Sequence, residues 1–138
     1  AKDLIDDSIK SGQAYEIFEK MVYSQGGNIA ESFKRNKPSH KLILKADKNG
    51  YIDKIDTEKL GYILLEIGGG RKTSSDKIDP TCGLYINKKL NQRVEINEPI
   101  LEIFGSNQSK IEIAENTLTK TISICEKKNK GESEIIYE

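Results

Sequence analysis

Three consecutive glycines, Gly68, Gly69 and Gly70, constrain this chain more than any other feature. They follow an apolar stripe, Leu60, Ile63, Leu64 and Ile67, whose spacing of three and four residues predicts a helix over 57–67. Asp56 stands where that helix needs an N-cap, because its carboxylate can accept from the unpaired N–H groups of the first turn. Glycine directly after the last apolar position supplies the left-handed residue that closes a helix. The segment runs on through Arg71, the two aspartates Asp76 and Asp79, and Pro80 to Gly83, where an apolar run begins. Two uses fit it: a helix cap followed by a long surface loop, or a ligand loop. A phosphate-cradling glycine loop follows a strand and opens a helix, whereas these glycines follow a helix. Context therefore favours the cap and loop. Arg71 is expected to pair with Asp76 or Asp79 and so clamp the loop, since a guanidinium suits bidentate carboxylate pairing.

The elements before it are helical. Leu4, Ile5 and Ile9 mark the end of a helix over 1–10, and Ser11 is the expected N-cap of a second helix over 12–25. Ala14, Ile17, Phe18, Met21 and Val22 form its stripe, read as core, and Gly26-Gly27 ends it. Residues 29–38 read as a connector with one helical turn, stopped by Pro38. His40 is the only histidine, and with no cysteine or carboxylate cluster near it a strand-start position is expected in place of a metal ligand. Residues 41–46 and 51–55 are short β-type runs, and the Asn49-Gly50 pair between them is the usual signal of a tight hairpin.

Beyond Gly83, strands are expected over 83–87 and 100–104. The polar interval 88–97 carries Leu90, Val94 and Ile96. Ile111, Ala114, Leu118 and Ile122 predict a third main helix over 109–123, and 133–137 reads as a terminal strand. Strand and helix in this arrangement make an α+β domain. The 138 residues are enough for one domain with a real core. The 22 basic and 22 acidic residues cancel, so no basic excess argues for nucleic acid or an acidic membrane surface. No apolar run approaches the roughly 20 residues that span a bilayer. Cys82 and Cys125 are expected to be free thiols in a reducing cytoplasm. No initiator methionine or signal peptide is present, and the start inside helical pattern suggests a piece of a longer protein. No nucleophile–base–acid set is visible, and Ser74-Ser75 has no sequence sign of a base.

The central segment also carries a resemblance. Gly68-Gly69-Gly70-Arg71, then Asp76-Lys77-Ile78-Asp79-Pro80, then Gly83, resembles the C-terminal domain of the pyrimidine-nucleoside and thymidine phosphorylases, with Cys82 in place of the usual valine. Ser11, Gly12, Ala14, Phe18, Met21, Val22, Gln25, Gly26 and Gly27 match the run that precedes that domain, and Gln13 replaces the usual lysine. Leu90, Val94, Glu98, Pro99 and Ile100 fit the family's barrel-sandwich pattern, which biotinyl and lipoyl domains share. Asn91 and Asn97 stand where the family has glycine, so one or both are expected at positive φ. Ile135-Ile136-Tyr137-Glu138 is similar to the family's ending.

The resemblance implies an α/β-hammerhead (barrel-sandwich hybrid) domain over 38–138, preceded over 1–37 by the tail of a phosphate-binding α/β domain. It implies an enzyme that cleaves pyrimidine nucleosides with phosphate to the base and a pentose 1-phosphate, a cytoplasmic homodimer without cofactor or metal. The family's phosphate- and base-binding motifs lie upstream of the matched part, so no catalytic or substrate-binding residue carries over. The piece itself is expected to be inactive and monomeric. Gly68, Gly70, Arg71, Asp76, Asp79 and Gly83 remain as a structural loop. The competing reading is a free-standing barrel-sandwich binding or carrier module. A carrier requires a modified lysine between small residues at a hairpin tip, and none occurs here.

Overall fold

A computed structural model describes residues 1–128, so the expected terminal strand over 133–137 lies outside the described residues. The chain divides into two compact units, Ala1–Lys37 and a second that begins at Pro38.

The first unit is three helices: α1 (Lys2–Lys10), α2 (Gln13–Ser24) and α3 (Ile29–Arg35). Ser11 closes α1 in right-handed helical conformation, and the N-cap of α2 is Gly12, at φ 82°. The expected Ser11 cap is therefore displaced by one residue, because the reversal between the helices needs a left-handed residue that glycine supplies at little steric cost. The expected single turn is a seven-residue helix, started by Asn28, whose side chain accepts from Glu31 N–H at 3.0 Å. The α2 stripe read as core is not buried here: Ile17 is 68% exposed, and only Val22 of it is half-buried; on α1, Leu4 is 74% exposed and Ile9 66%. Three short helices enclose too little volume to cover both faces of each.

The second unit holds the core. Its elements are β1 (His40–Lys45), β2 (Gly50–Ile55), α4 (Thr57–Ile67), β3 (Gly83–Ile86), β4 (Arg93–Val94), β5 (Pro99–Gly105), α5 (Gln108–Leu118) and β6 (Ile122–Cys125). Two three-stranded sheets form, ordered β1-β5-β3 and β4-β2-β6, and the recorded pairings are antiparallel. Ile52, Val94, Leu101, Ile103 and Leu118 are fully buried, with Leu60, Ile63 and Ile67 of α4 and Ile111 and Ala114 of α5 in the same cluster. The fold is thus α+β, with both sheets and both helices feeding one core.

Two expectations are corrected, one of a hairpin and one of a helix. Asn49-Gly50 does not close a hairpin: β1 pairs with β5, from His40 opposite Gly105 to Leu44 opposite Leu101, while β2 pairs with β4 and β6. Among the described residues the non-glycine positive φ values are those of Asn91 and Asn97, so Asn49 does not make the left-handed turn a tight hairpin requires. Its side chain instead accepts from Ile96 N–H at 2.8 Å. The helix expected over 109–123 stops at Leu118, and Ile122 belongs to β6. Thr121 turns the chain there, its hydroxyl donating to Leu118 C=O at 2.7 Å in a buried position. The run Thr121-Ile122-Ser123-Ile124, with three β-branched residues, then extends along β2, with Ile55 opposite Ile122.

Candidate functional site

The loop between α4 and β3 is built from both ends. Asp56 caps α4, accepting from Lys59 N–H at 3.1 Å and pairing with Lys59 Nζ at 2.8 Å. At the other end Gly68 takes φ 114°, and its N–H donates to Leu65 C=O at 3.2 Å. Gly70 lies against the Leu65 side chain, which leaves no room for a Cβ. Gly83 begins β3 directly beneath Phe104, where an added Cβ would stand 2.5 Å from the ring edge. At Gly83 the obstacle is an aromatic ring edge, whereas at Gly70 it is the tip of a flexible leucine side chain.

Asp79 is the centre of the loop. Its N–H donates to Gly68 C=O at 2.9 Å, and its own C=O accepts from Cys82 N–H at 3.1 Å. One carboxylate oxygen accepts from Thr81 N–H at 2.9 Å and Thr81 Oγ1 at 2.7 Å. The other accepts from Cys82 Sγ at 3.3 Å, from Ser106 N–H at 3.2 Å and from Ser106 Oγ. One residue thereby ties the end of α4 through its backbone, and the entry to β3 and the turn between β5 and α5 through its carboxylate. Partial burial pushes the Asp79 carboxyl up, but hydrogen bonds from Ser106, Thr81 and Cys82 outweigh it and leave the carboxyl well below the usual range. The same arrangement acts oppositely on Cys82. Burial first, then its hydrogen bond to the Asp79 carboxylate, push the thiol up to about 11. Ile67 C=O, 3.2 Å from Cys82 Sγ, shares the one S–H proton with that carboxylate.

Asp76 organises a smaller turn. It accepts from Thr73 N–H, Thr73 Oγ1 and Lys72 N–H, each at 2.9 Å, and the Thr73 bonds lead in holding its carboxyl below the ordinary value. Arg71 is exposed and makes no ion pair with Asp76 or Asp79; among the described residues the ion pairs are those of lysines. The expected arginine clamp is therefore corrected. Both carboxylates are occupied by N–H, hydroxyl and thiol donors from nearer in space, and these need less ordering than a long guanidinium side chain.

The partners that sequence reasoning missed are Thr81 and Ser106. Asp79-Pro80-Thr81 has the form of an Asx turn, a local signal that was available. Nothing local connects residue 106 to residue 79. Chemically the junction is a poor catalyst. Its carboxylate is held ionised with five donors on it, and its thiol is held protonated, so neither is poised to take a proton or attack near neutral pH. Among the described residues Ser75 Oγ meets only Thr73 Oγ1, at 2.9 Å. Among the described residues no group of three or more His, Cys, Asp or Glu could hold a metal, and no helix is long and apolar enough to cross a membrane.

A family model for the pyrimidine nucleoside phosphorylase C-terminal domain matches residues 51–125, from β2 to the end of β6 and across the whole Asp79 junction. The chain belongs to this family. It is 35% identical over 113 residues to a thymidine phosphorylase of Mycoplasma genitalium, covering 77% of this chain and 26% of the relative. It is 32% identical over 136 residues to a pyrimidine-nucleoside phosphorylase of Staphylococcus epidermidis, covering 96% of this chain and 30% of the relative. A pyrimidine-nucleoside phosphorylase of Staphylococcus aureus is 30% identical over 129 residues, with 91% and 30% covered. The chain thus spans less than a third of the length of these phosphorylases. Both free cysteines lie within the matched domain.

Proposed function

We propose that the chain is the C-terminal part of an enzyme that cleaves pyrimidine nucleosides with inorganic phosphate, releasing the base and a pentose 1-phosphate. This part scaffolds the larger lobe and contributes no catalytic group. The observation that carries the reading is the family match over 51–125, joined to phosphorylase relatives that align with up to 96% of the chain. The chemistry of the Asp79 junction agrees with a structural role, since its ionisable groups are locked out of proton transfer. Residues 1–37 are read as the tail of the preceding α/β domain, and the two sheets as an α/β-hammerhead of barrel-sandwich type. The whole enzyme is read as cytoplasmic and homodimeric, with phosphate and nucleoside as its small-molecule partners and no nucleic acid.

Two experiments test this. Incubated with thymidine or uridine and phosphate, the chain alone releases no base; turnover that survives repurification would move the active site into these residues. Grafted in place of the matching C-terminal part of the Staphylococcus epidermidis enzyme, the chain supports phosphorolysis. A chimera that folds but fails to turn over either nucleoside would count against the reading.

A further inference from the structure

Asn49-Gly50 is the one asparagine–glycine pair in the sequence, and the fold does not use it for a hairpin. Both residues are held by what they touch. Gly50 opens β2 opposite Val94, and a Cβ there would run into the C=O oxygen of Cys125 and the side chain of Ile124. The nearer obstacle is backbone, so any side chain at this position would force β6 to move. Asn49 is exposed, and its Oδ1 accepts from Ile96 N–H at 2.8 Å. Two further bonds join the same two segments. Asn97 N–H donates to Ala46 C=O at 2.8 Å, and Ala46 N–H donates to Glu98 C=O at 2.9 Å. Among the described residues Nδ2 of Asn49 has no hydrogen-bond partner.

We propose that Asn49 is a site of spontaneous modification, where the chain loses ammonia and takes up water to become aspartate or isoaspartate, and that the bond from Ile96 N–H gates the reaction. A following glycine has no Cβ to shield its backbone nitrogen, so that nitrogen reaches the asparagine Cγ with little hindrance. Gly50 N bonds to Asn49 Cγ, the Cγ–Nδ2 bond breaks, and ammonia leaves with the proton that Gly50 N–H gives up. Water then opens the cyclic imide. Attack at Cγ gives aspartate, and attack at the backbone carbonyl gives isoaspartate; no electrons are transferred and water is the only co-reactant. Ring closure requires Cγ to turn toward the Gly50 nitrogen. It therefore proceeds from the locally opened state in which Asn49 has released Ile96. The two products differ in consequence. Aspartate keeps an oxygen for Ile96 N–H. Isoaspartate runs the backbone through Cγ and adds a methylene to it, between Ala46, tied to Asn97 and Glu98, and Gly50, packed against Cys125. The longer link pushes those anchors apart. This inference is independent of the enzymatic reading.

The turn at Ile96 supplies the variant that tests the gate. Glu98 N–H donates to Glu95 C=O at 2.9 Å and Asn97 has φ 67°, the form of a type II turn with Ile96 in its second position, where proline is favoured. Ile96→Pro thus removes the N–H donor and keeps the turn. The native chain, Ile96→Pro and native chain held unfolded in guanidinium are kept in warm neutral buffer, and peptide mapping by mass spectrometry follows each asparagine with time. Residue 49 should be the first converted in the folded chain, several-fold more slowly than in guanidinium. Ile96→Pro should recover most of that difference while still unfolding cooperatively. The isolated isoaspartate form should unfold at a lower temperature than Asn49→Asp, which should unfold close to the native chain. Conversion of another asparagine before residue 49, equal rates in the folded and unfolded chain, or a folded Ile96→Pro that reacts no faster would each overturn the proposal. So would an isoaspartate form as stable as Asn49→Asp.

Discussion

Asp79 accepts hydrogen bonds from both the backbone N–H and the hydroxyl of Ser106, 27 residues further along the chain. This contact joins the long loop after α4 to the turn that launches α5, and so fixes the two ends of the α4–α5 layer relative to the first sheet. Gly105, immediately before Ser106, lies so close to Cys82 that an added Cβ would stand 2.6 Å from its sulfur. The junction is therefore packed as well as hydrogen-bonded.

Removing the Asp79 carboxylate should be felt through the fold. Asp79→Ala should cost about 2 kcal/mol in denaturant unfolding, because charge-assisted bonds within its own turn and to the distant Ser106 are lost together. Asp79→Asn should cost less, since an amide oxygen can still accept from Thr81. A change within experimental error for Asp79→Ala would show that the junction holds nothing.

The same group predicts an acid dependence. Its folded carboxyl lies below the unfolded value of about 3.9, so ionisation favours the folded chain. The contribution is complete above about pH 5 and disappears as pH falls through the unfolded value toward the folded one. Unfolding free energy measured from neutral to acid pH should therefore fall less steeply for Asp79→Asn than for the native chain. Equal slopes would assign the acid sensitivity to other carboxyls.

Cys82 should be a slow thiol. With its proton held up to about 11, little thiolate exists near pH 8, and alkylation by iodoacetamide should be several-fold slower than after unfolding. Because the folded value exceeds the unfolded one of about 8.5, this group's share of stability is intact below that pH and is lost as pH rises toward 11. Mass mapping of the modified peptide at timed intervals reads the rate. Labelling of folded Cys82 as fast as the denatured control would contradict the half-buried, carboxylate-bound thiol.

Arg71→Ala should change stability by less than about 0.5 kcal/mol, as for an exposed side chain without partners. Phosphate should produce no saturable shift in the amide resonances of Gly69, Gly70 and Arg71. They follow the C-terminal end of α4, where the helix dipole repels anions. Saturable shifts at millimolar phosphate would make the loop an anion site.

Asn91 and Asn97 hold φ values of 63° and 67°. Each uses its N–H within the fold, Asn91 to Ile52 C=O and Asn97 to Ala46 C=O, both at 2.8 Å. Glycine at either position should be nearly neutral, whereas valine should cost about 1–2 kcal/mol, the penalty for a β-branched residue in left-handed backbone. Thermal unfolding of the four variants separates the two outcomes, and a neutral valine would remove the backbone account.

The amino-acid sequence by itself determined what depends on a few adjacent residues. Helix α4 begins after Asp56 and ends before Gly68, as its stripe and caps dictate, because caps and helical periodicity act within one or two turns. Asn91 and Asn97 were legible through the resemblance, which puts glycine at both positions, and asparagine is the residue that best replaces glycine in left-handed backbone. The motif around Gly68–Arg71 and Asp79-Pro80 was enough to name the family. Tertiary structure alone decided which strands pair. Asn49-Gly50 offers a local hairpin, but β1 pairs with β5 and β2 with β4 and β6 in different sheets, so the local preference was overridden. It also decided the role of the two aspartates. Arg71 is their neighbour in sequence, yet Ser106 is the neighbour of Asp79 in space, and a partly buried carboxylate is satisfied by the donors that folding brings to it.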